Sequence, residues 1–133
     1  MESSALVAAL LEHDTAILKP VPAGVQHVTS ALTLAEAGRA IIRARTTHRL
    51  TAGEEQAAVR ALRTFERRCF ILDVYRAVLA RVRRPFPVEP IRTLDAVHLA
   101  TAELLGEPPQ IVTIVTRDVR VRDNARALGY IVE

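Results

Sequence analysis

Aromatic residues make up only 4% of the 133-residue chain, and tryptophan is absent. A core must therefore be assembled from Ala, Val, Leu and Ile, and base stacking on exposed rings is a poor route to nucleic-acid recognition. Cysteine is nearly absent as well. A lone Cys69 excludes an internal disulfide and points to a reducing compartment, with the cytoplasm as the expected location. Long apolar runs are missing too: Ala5 to Leu11 is short, follows Glu2 rather than basic residues and gives way to Glu12, His13 and Asp14, so neither signal peptide nor membrane anchor is expected. There is no H-E-x-x-H and no G-x-S-x-G, and Ser3 and Ser4 near His13 do not constitute a triad, which leaves no ground for zinc or acyl-transfer chemistry.

What is present is arginine. Seventeen of the eighteen basic residues are Arg, and the net charge of +3 hides a segregation. Between Arg39 and Arg92, thirteen arginines face five acids, a local excess of eight positive charges, while the rest of the chain carries five negative charges in excess. Such a footprint suits phosphate, with Arg43 and Arg45 as expected RNA contacts; ordinary solvated helix faces are the alternative.

At 50% hydrophobic residues the chain has enough material for one core, and one domain spanning residues 1–133 is expected. Met1 to Ser4 reads as a cap running straight into a short helix, Ala5 to Leu11, and a loop follows between Lys19 and Gly24 with Pro20 and Pro22. Val25 to Thr29 has the character of a short strand. The helix after it carries apolar residues at Leu34, Ala37, Ile41 and Ala44, and its start is open: Ser30 as cap leaves Glu36 in the second turn, whereas a Thr33–Glu36 capping box would give Glu36 a purely structural task. A capping box at Thr51 and Glu54 opens a further helix through Val59, Leu62 and Phe65. Cys69 to Val74 reads as a strand, Tyr75 to Arg84 as a helix, and Pro85, Pro87 and Pro90 enforce a loop. Next comes a helix capped by Thr93, with Leu94, Val97, Ala100 and Leu104 on an apolar stripe widened by Leu99 and Ala102. Asp95 is the one acid in that stripe, favoured by the helix dipole whatever else it does. Ile111 to Val115 reads as a strand, Val119 to Leu128 as a helix ended by Gly129, and Tyr130 to Val132 as a last strand. This alternation predicts a parallel sheet with helices on both faces and a site off the carboxyl ends of the strands.

The segments T-L-D-A-V-H-L-A-T-A (93–102), I-V-T-I-V-T-R-D (111–118) and N-A-R-A-L-G-Y-I-V (124–132) together resemble the C-terminal half of PIN-domain ribonucleases, specifically the VapC-like toxins of bacterial toxin–antitoxin systems. E-S-S-A-L-V at the start matches the end of that family's opening pattern, with Glu2 in the place of an Asp and almost no strand before it. The resemblance implies a PIN-like three-layer α/β/α fold with a short central parallel sheet whose N-terminal strand is truncated, either because translation starts upstream or because the strand is a stub. It implies an endoribonuclease with Glu2, Glu36, Asp95 and Asp118 as catalytic and metal-binding acids, and Ser4 and Thr116 as hydroxyls orienting carboxylates or water. Products with 5′-phosphate and 3′-hydroxyl ends, a cognate antitoxin and a homodimer also belong to that expectation.

Elementary electrostatics agrees with such a set. Carboxylates brought together repel unless a cation lies between them, and all-oxygen donors suit Mg²⁺ or Mn²⁺. A magnesium ion keeps several waters, one of which, with lowered pKa, can attack phosphorus in line. Asp123 could sit one turn beyond Asp118 as an outer ligand or be a solvated helix acid, and His98 reads as a satisfied histidine at the core edge rather than a base. The alternative reading is a catalytically weakened PIN-like domain that binds RNA or a partner, since Glu is one methylene longer than Asp; a purely structural domain with helix-stabilising acids is the third.

Overall fold

The computed structural model of the chain describes residues 1–12, 18, 19 and 22–133. His13, Asp14 and the Pro20 part of the expected loop lie outside them. The elements run α1 (Ser3–Leu11), β1 (Val28–Ser30), α2 (Ala31–Thr46), α3 (Ala52–Glu66), β2 (Phe70–Leu72), α4 (Arg76–Val82), α5 (Thr93–Glu103), β3 (Thr113–Ile114), α6 (Val119–Ala127) and β4 (Ile131–Val132), with a 3₁₀ turn at Pro109–Ile111. It is an α/β fold with short parallel strands. Among the described residues no helix is long and apolar enough to cross a membrane.

The strands form two parallel pairs, β1 with β2 and β3 with β4. What joins them is the start of the chain. The Met1 amine donates to the Val28 carbonyl at 2.9 Å, Thr29 Oγ1 donates to the Met1 carbonyl at 3.0 Å, and the Glu2 N–H donates to the Val115 carbonyl at 3.0 Å. Met1 and Glu2 thus stand between β1 and β3, giving the order β2–β1–Met1/Glu2–β3–β4. Between the β1 and β3 sides lies a cavity of about 680 Å³ whose lining includes Val25, His27, Val112 and Thr113. Burial pushes the pKa of the Met1 amine down, since a charge there gives up its water.

Two apolar clusters flank this arrangement. Leu6, Leu10, Ala37, Ile41, Ala58 and Phe65 tie α1, α2 and α3 together. Val78, Phe86, Val97, Leu99, Ala100, Ile114, Val121 and Tyr130 tie α4, α5, α6 and β3. Their small side chains supply the cores that a chain poor in aromatics needs.

Several boundaries differ from the sequence expectation. Val25 is 55% exposed, its N–H bonded back to the Pro22 carbonyl in a turn, so β1 begins only at Val28. Ile111 belongs to the Pro109 3₁₀ turn and is 70% exposed. Proline pre-sets such a turn, and β3 starts after it. The cap of α5 is Arg92, not Thr93, and its side chain makes no capping bond. Leu94 and Leu104, expected on the buried stripe, are 48% and 40% exposed, whereas every residue from Asp95 to Thr101 is buried. This helix is enclosed on most sides, by α4 and α6 and by the polar contacts of His98, so a one-face pattern does not describe it.

Candidate active site

Glu2 caps α1 and is 5% exposed. Its Oε1 accepts Ser3 Oγ at 2.7 Å and the Ser4 N–H at 3.0 Å; its Oε2 accepts the Ser4 hydroxyl and Thr116 Oγ1, the latter at 2.7 Å. Burial alone would raise this carboxyl's pKa, but the hydrogen bonds from Ser4, Ser3 and Thr116 outweigh it and hold the group below its ordinary value. The same two hydroxyls also accept. Ser4 Oγ takes the N–H groups of Arg117 at 2.8 Å and Asp118 at 3.1 Å, and Thr116 Oγ1 takes that of Asp118 at 3.1 Å. Glu2 therefore fixes the turn 116–118 through Ser4 and Thr116, which are the two hydroxyls singled out in the sequence.

That turn presents Asp118. As the N-cap of α6, Asp118 divides its work: Oδ1 accepts the N–H groups of Arg120 at 2.8 Å and Val121 at 3.3 Å, leaving Oδ2 facing outward. Asp95, in the first turn of α5, is 7% exposed. One guanidinium joins the two acids: Arg92 Nε donates to Asp95 Oδ2 at 2.8 Å, and Arg92 Nη2 donates to Asp118 Oδ2 at 2.5 Å. The hydrogen bond donated to Asp95, then the charges of Asp95 and Asp118, push the Arg92 pKa up further.

Glu36 enters from α2. Ser30 is the cap that forms, accepting the Thr33 N–H at 3.1 Å, so the Thr33 capping box is not made and Glu36 lies in the second turn. Its Oε2 is 2.7 Å from His98 Nε2; since an ionised carboxylate only accepts, that nitrogen carries a proton. His98 Nδ1 lies 3.5 Å from Thr33 Oγ1, and Nε2 is 3.9 Å from Glu2 Oε1. His98 is buried, bonded to Glu36 and lying close to Glu2. Asp123 is exposed on α6, as a solvated helix acid would be. Arg43 is exposed near the end of α2, while Arg45 turns toward α3 and pairs with Glu55 at 3.4 Å.

The four acids are connected in a series, Glu36 to His98 beside Glu2, and Glu2 through Ser4 to Asp118 and through Arg92 to Asp95, but they are not equivalent as ligands. Among the described residues no group of three or more His, Cys, Asp or Glu side chains is placed to hold an ion. Glu2 has both oxygens engaged, and Glu36 is engaged by His98. Asp95 and Asp118, by contrast, already converge on a single positive group, with oxygen-only donors. Two carboxylates with water and phosphate filling the remaining positions are what Mg²⁺ ordinarily takes from a protein, so this pair fits a hard divalent cation.

A model of the PIN domain matches residues 2–127. The chain belongs to the PIN-domain family. Within it, the chain is 36% identical over 106 residues to ribonuclease VapC35 of Mycobacterium tuberculosis, an alignment covering 79% of this chain and 70% of the relative. It is 39% identical over 107 residues to ribonuclease VapC46 of the same organism, covering 79% and 71%. No solved structure gives a significant match.

Three residues of this PIN domain were not singled out as working parts of the site in the sequence. Arg92 was counted only as part of a charge excess. His98 was assigned to the core edge, although its place three residues after Asp95 on one helix was the available signal. Asn124, fully buried, exchanges hydrogen bonds with the Val88 backbone, accepting its N–H and donating to its carbonyl, each at 2.9 Å, and so ties the proline loop to α6. Nothing in the sequence marks it beyond an amide inside a helix.

Proposed function

We propose that this chain is a Mg²⁺- or Mn²⁺-dependent endoribonuclease, the toxin of a VapBC-type pair. It would act in the cytoplasm on RNA, be restrained by a cognate antitoxin and pair with itself as a homodimer. The observation that carries this reading is the convergence of Asp95 Oδ2 and Asp118 Oδ2 on one cationic group, in a chain related to two ribonucleases.

In this reading Asp95 and Asp118 hold the divalent ion. When bound, the ion neutralises phosphate charge and lowers the pKa of the attacking water. Glu36, oriented by His98, would add a further acid to that edge. Glu2 keeps Ser4 and Thr116 in place and through them the Asp118 turn. The arginines of α2 draw the RNA backbone toward that edge by phosphate contacts without reading bases.

The test is cleavage of a labelled structured RNA by the purified chain with Mn²⁺ and with EDTA, beside Asp95→Asn and Asp118→Asn. Metal-dependent cutting that both substitutions abolish is expected; cutting that survives EDTA would remove the metal from the reaction. A second reading, a PIN-like binding domain with weakened chemistry, draws support from Glu2, whose carboxylate has no oxygen left over for an ion. Under it Mn²⁺ would raise the melting temperature by mass action while RNA is bound and left intact.

A further inference from the structure

We propose that Arg92 is the resident cation of the Asp95–Asp118 pair, so that loading a divalent ion and releasing the Arg92 guanidinium are one coupled event. The proposal rests on the reading that these two aspartates hold the metal. Its basis is the geometry of the arm. Arg92 spends two different nitrogens on the two acids, Nε on Asp95 and Nη2 on Asp118, and both bonds fall on the Oδ2 atoms, the positions an ion held by this pair would take. A guanidinium and a divalent cation cannot both occupy that position.

The arm is also built to leave. Its side chain is 61% exposed, so the ion pairing its charge gives up on leaving is largely replaced by hydration. The backbone beneath it is pinned. Glu89 accepts the N–H groups of Phe86 at 3.0 Å and Ile91 at 2.8 Å, while Asn124 holds Val88 on both its backbone groups. Arg92 then opens α5 as a cap residue whose side chain makes no capping bond. A fixed root with a solvated, otherwise uncommitted head is an arrangement that exchanges by side-chain rotation alone, without moving the loop. In the ion-free state the arm cancels repulsion between two acids; in the loaded state it is free to point at an incoming phosphate.

Linkage makes this measurable without catalysis. Manganese binding to the whole chain is followed by calorimetry for wild type, Arg92→Gln and Arg92→Lys, with melting temperatures taken in EDTA. Competition predicts that Arg92→Gln binds Mn²⁺ about tenfold more tightly, in the ordinary range of coupling between sites, and melts lower in EDTA. Arg92→Lys separates a specific fork from mere positive charge. Lysine keeps the charge but not the planar two-nitrogen reach, so it should bind manganese nearly as tightly as the Gln variant. A Lys variant that matches wild type would overturn the proposal by reducing it to net charge. A direct view comes from the Arg92 Nε–H resonance, assigned by its loss in Arg92→Gln: Mg²⁺ should shift it and speed its exchange with water. Manganese bound equally by all three proteins, with that resonance unmoved by Mg²⁺, would sink the proposal while leaving the metal reading intact. If none of them binds manganese, the metal reading falls and takes the proposal with it.

Discussion

Glu2 and the Asp95–Asp118 pair lie in one hydrogen-bonded network, joined through Ser4, and their charge is met in opposite ways. Glu2 is buried and satisfied by hydroxyls and one backbone N–H, all neutral and all within the fold. The two aspartates are satisfied by an arginine that stands largely in solvent. Neutral dipoles locked into a buried turn do not exchange, whereas a solvated cation can be replaced by another cation. One carboxylate is therefore a structural anchor, and the other two are the pair proposed to exchange their cation. Glu36 stands between the cases, held by a buried imidazole.

The most severe way to break this comparison is at the exchangeable end. On the proposed reading, Asp95→Asn should lower RNA cleavage more than about a hundredfold, because it would remove a ligand to an ion whose charge stabilisation is worth several kcal/mol. The fold should survive: the lost helix-end and arginine interactions are each worth about 1 kcal/mol or less. Single-turnover cleavage with a urea melt on the same preparation checks both halves. A variant that cuts at the wild-type rate would take Asp95 out of the mechanism.

At the anchored end the effect should fall on stability. Glu2→Gln exchanges charge-assisted hydrogen bonds for weaker amide ones and should cost about 2 kcal/mol at neutral pH. The pH dependence has a definite sign. A carboxyl whose folded pKa is depressed contributes stability that is present above its unfolded pKa and lost as pH falls through the folded value. Wild type and Glu2→Gln should thus converge in acid, and urea midpoints across that range measure it. A constant gap at every pH would mean that Glu2 is not the titrating group.

How much of this was legible depends on the range of the interactions. Local chemistry reads well: the Thr51–Glu54 capping box forms with both of its bonds, and Ser30 caps α2 as one of the two open choices allowed. The strands were overextended, because a run such as Ile111 to Val115 has strand character along its whole length while only the residues with a partner become strand. The grouping of Glu2, Glu36, Asp95 and Asp118 was proposed from a family likeness rather than from spacing. What that likeness left out is how the acids are neutralised. Thr116 reaches Glu2 across 114 positions and His98 reaches Glu36 across 62, and no periodicity encodes contacts at such separations. Arg92 is only three residues from Asp95, yet its second contact, to Asp118, depends on a proline loop whose course is set by Asn124.

The intermediate case, Glu36, is tested through its partner. His98→Phe keeps a ring of similar size and removes the proton that holds Glu36 Oε2. Outer partners of metal-site acids are worth about tenfold or more in metal affinity, so the Mn²⁺ concentration for half-maximal cleavage should rise by about that factor. Unchanged metal dependence, with stability intact, would place Glu36 outside the ion's surroundings.

The smallest expected effect extends the distinction between committed and available charge to the arginines of α2. Arg45 is committed, paired with Glu55 on α3 at 3.4 Å. Arg39 and Arg43 are exposed, three and seven residues beyond Glu36 and so on its side of the helix, with Arg43 about 10 Å along the axis from it. A backbone phosphate approaching the acidic edge would meet these two first. Replacing both by Gln should weaken binding of unrelated RNAs alike and reduce the slope of log affinity against log salt by about 1.4, at roughly 0.7 per phosphate contact on a single strand. Arg45→Gln should leave that slope unchanged and lower stability slightly, as the loss of an exposed pair does. The opposite pattern, a slope that follows Arg45 and ignores Arg39 and Arg43, would move the RNA path to the α3 side of the molecule and separate it from the Asp95–Asp118 edge.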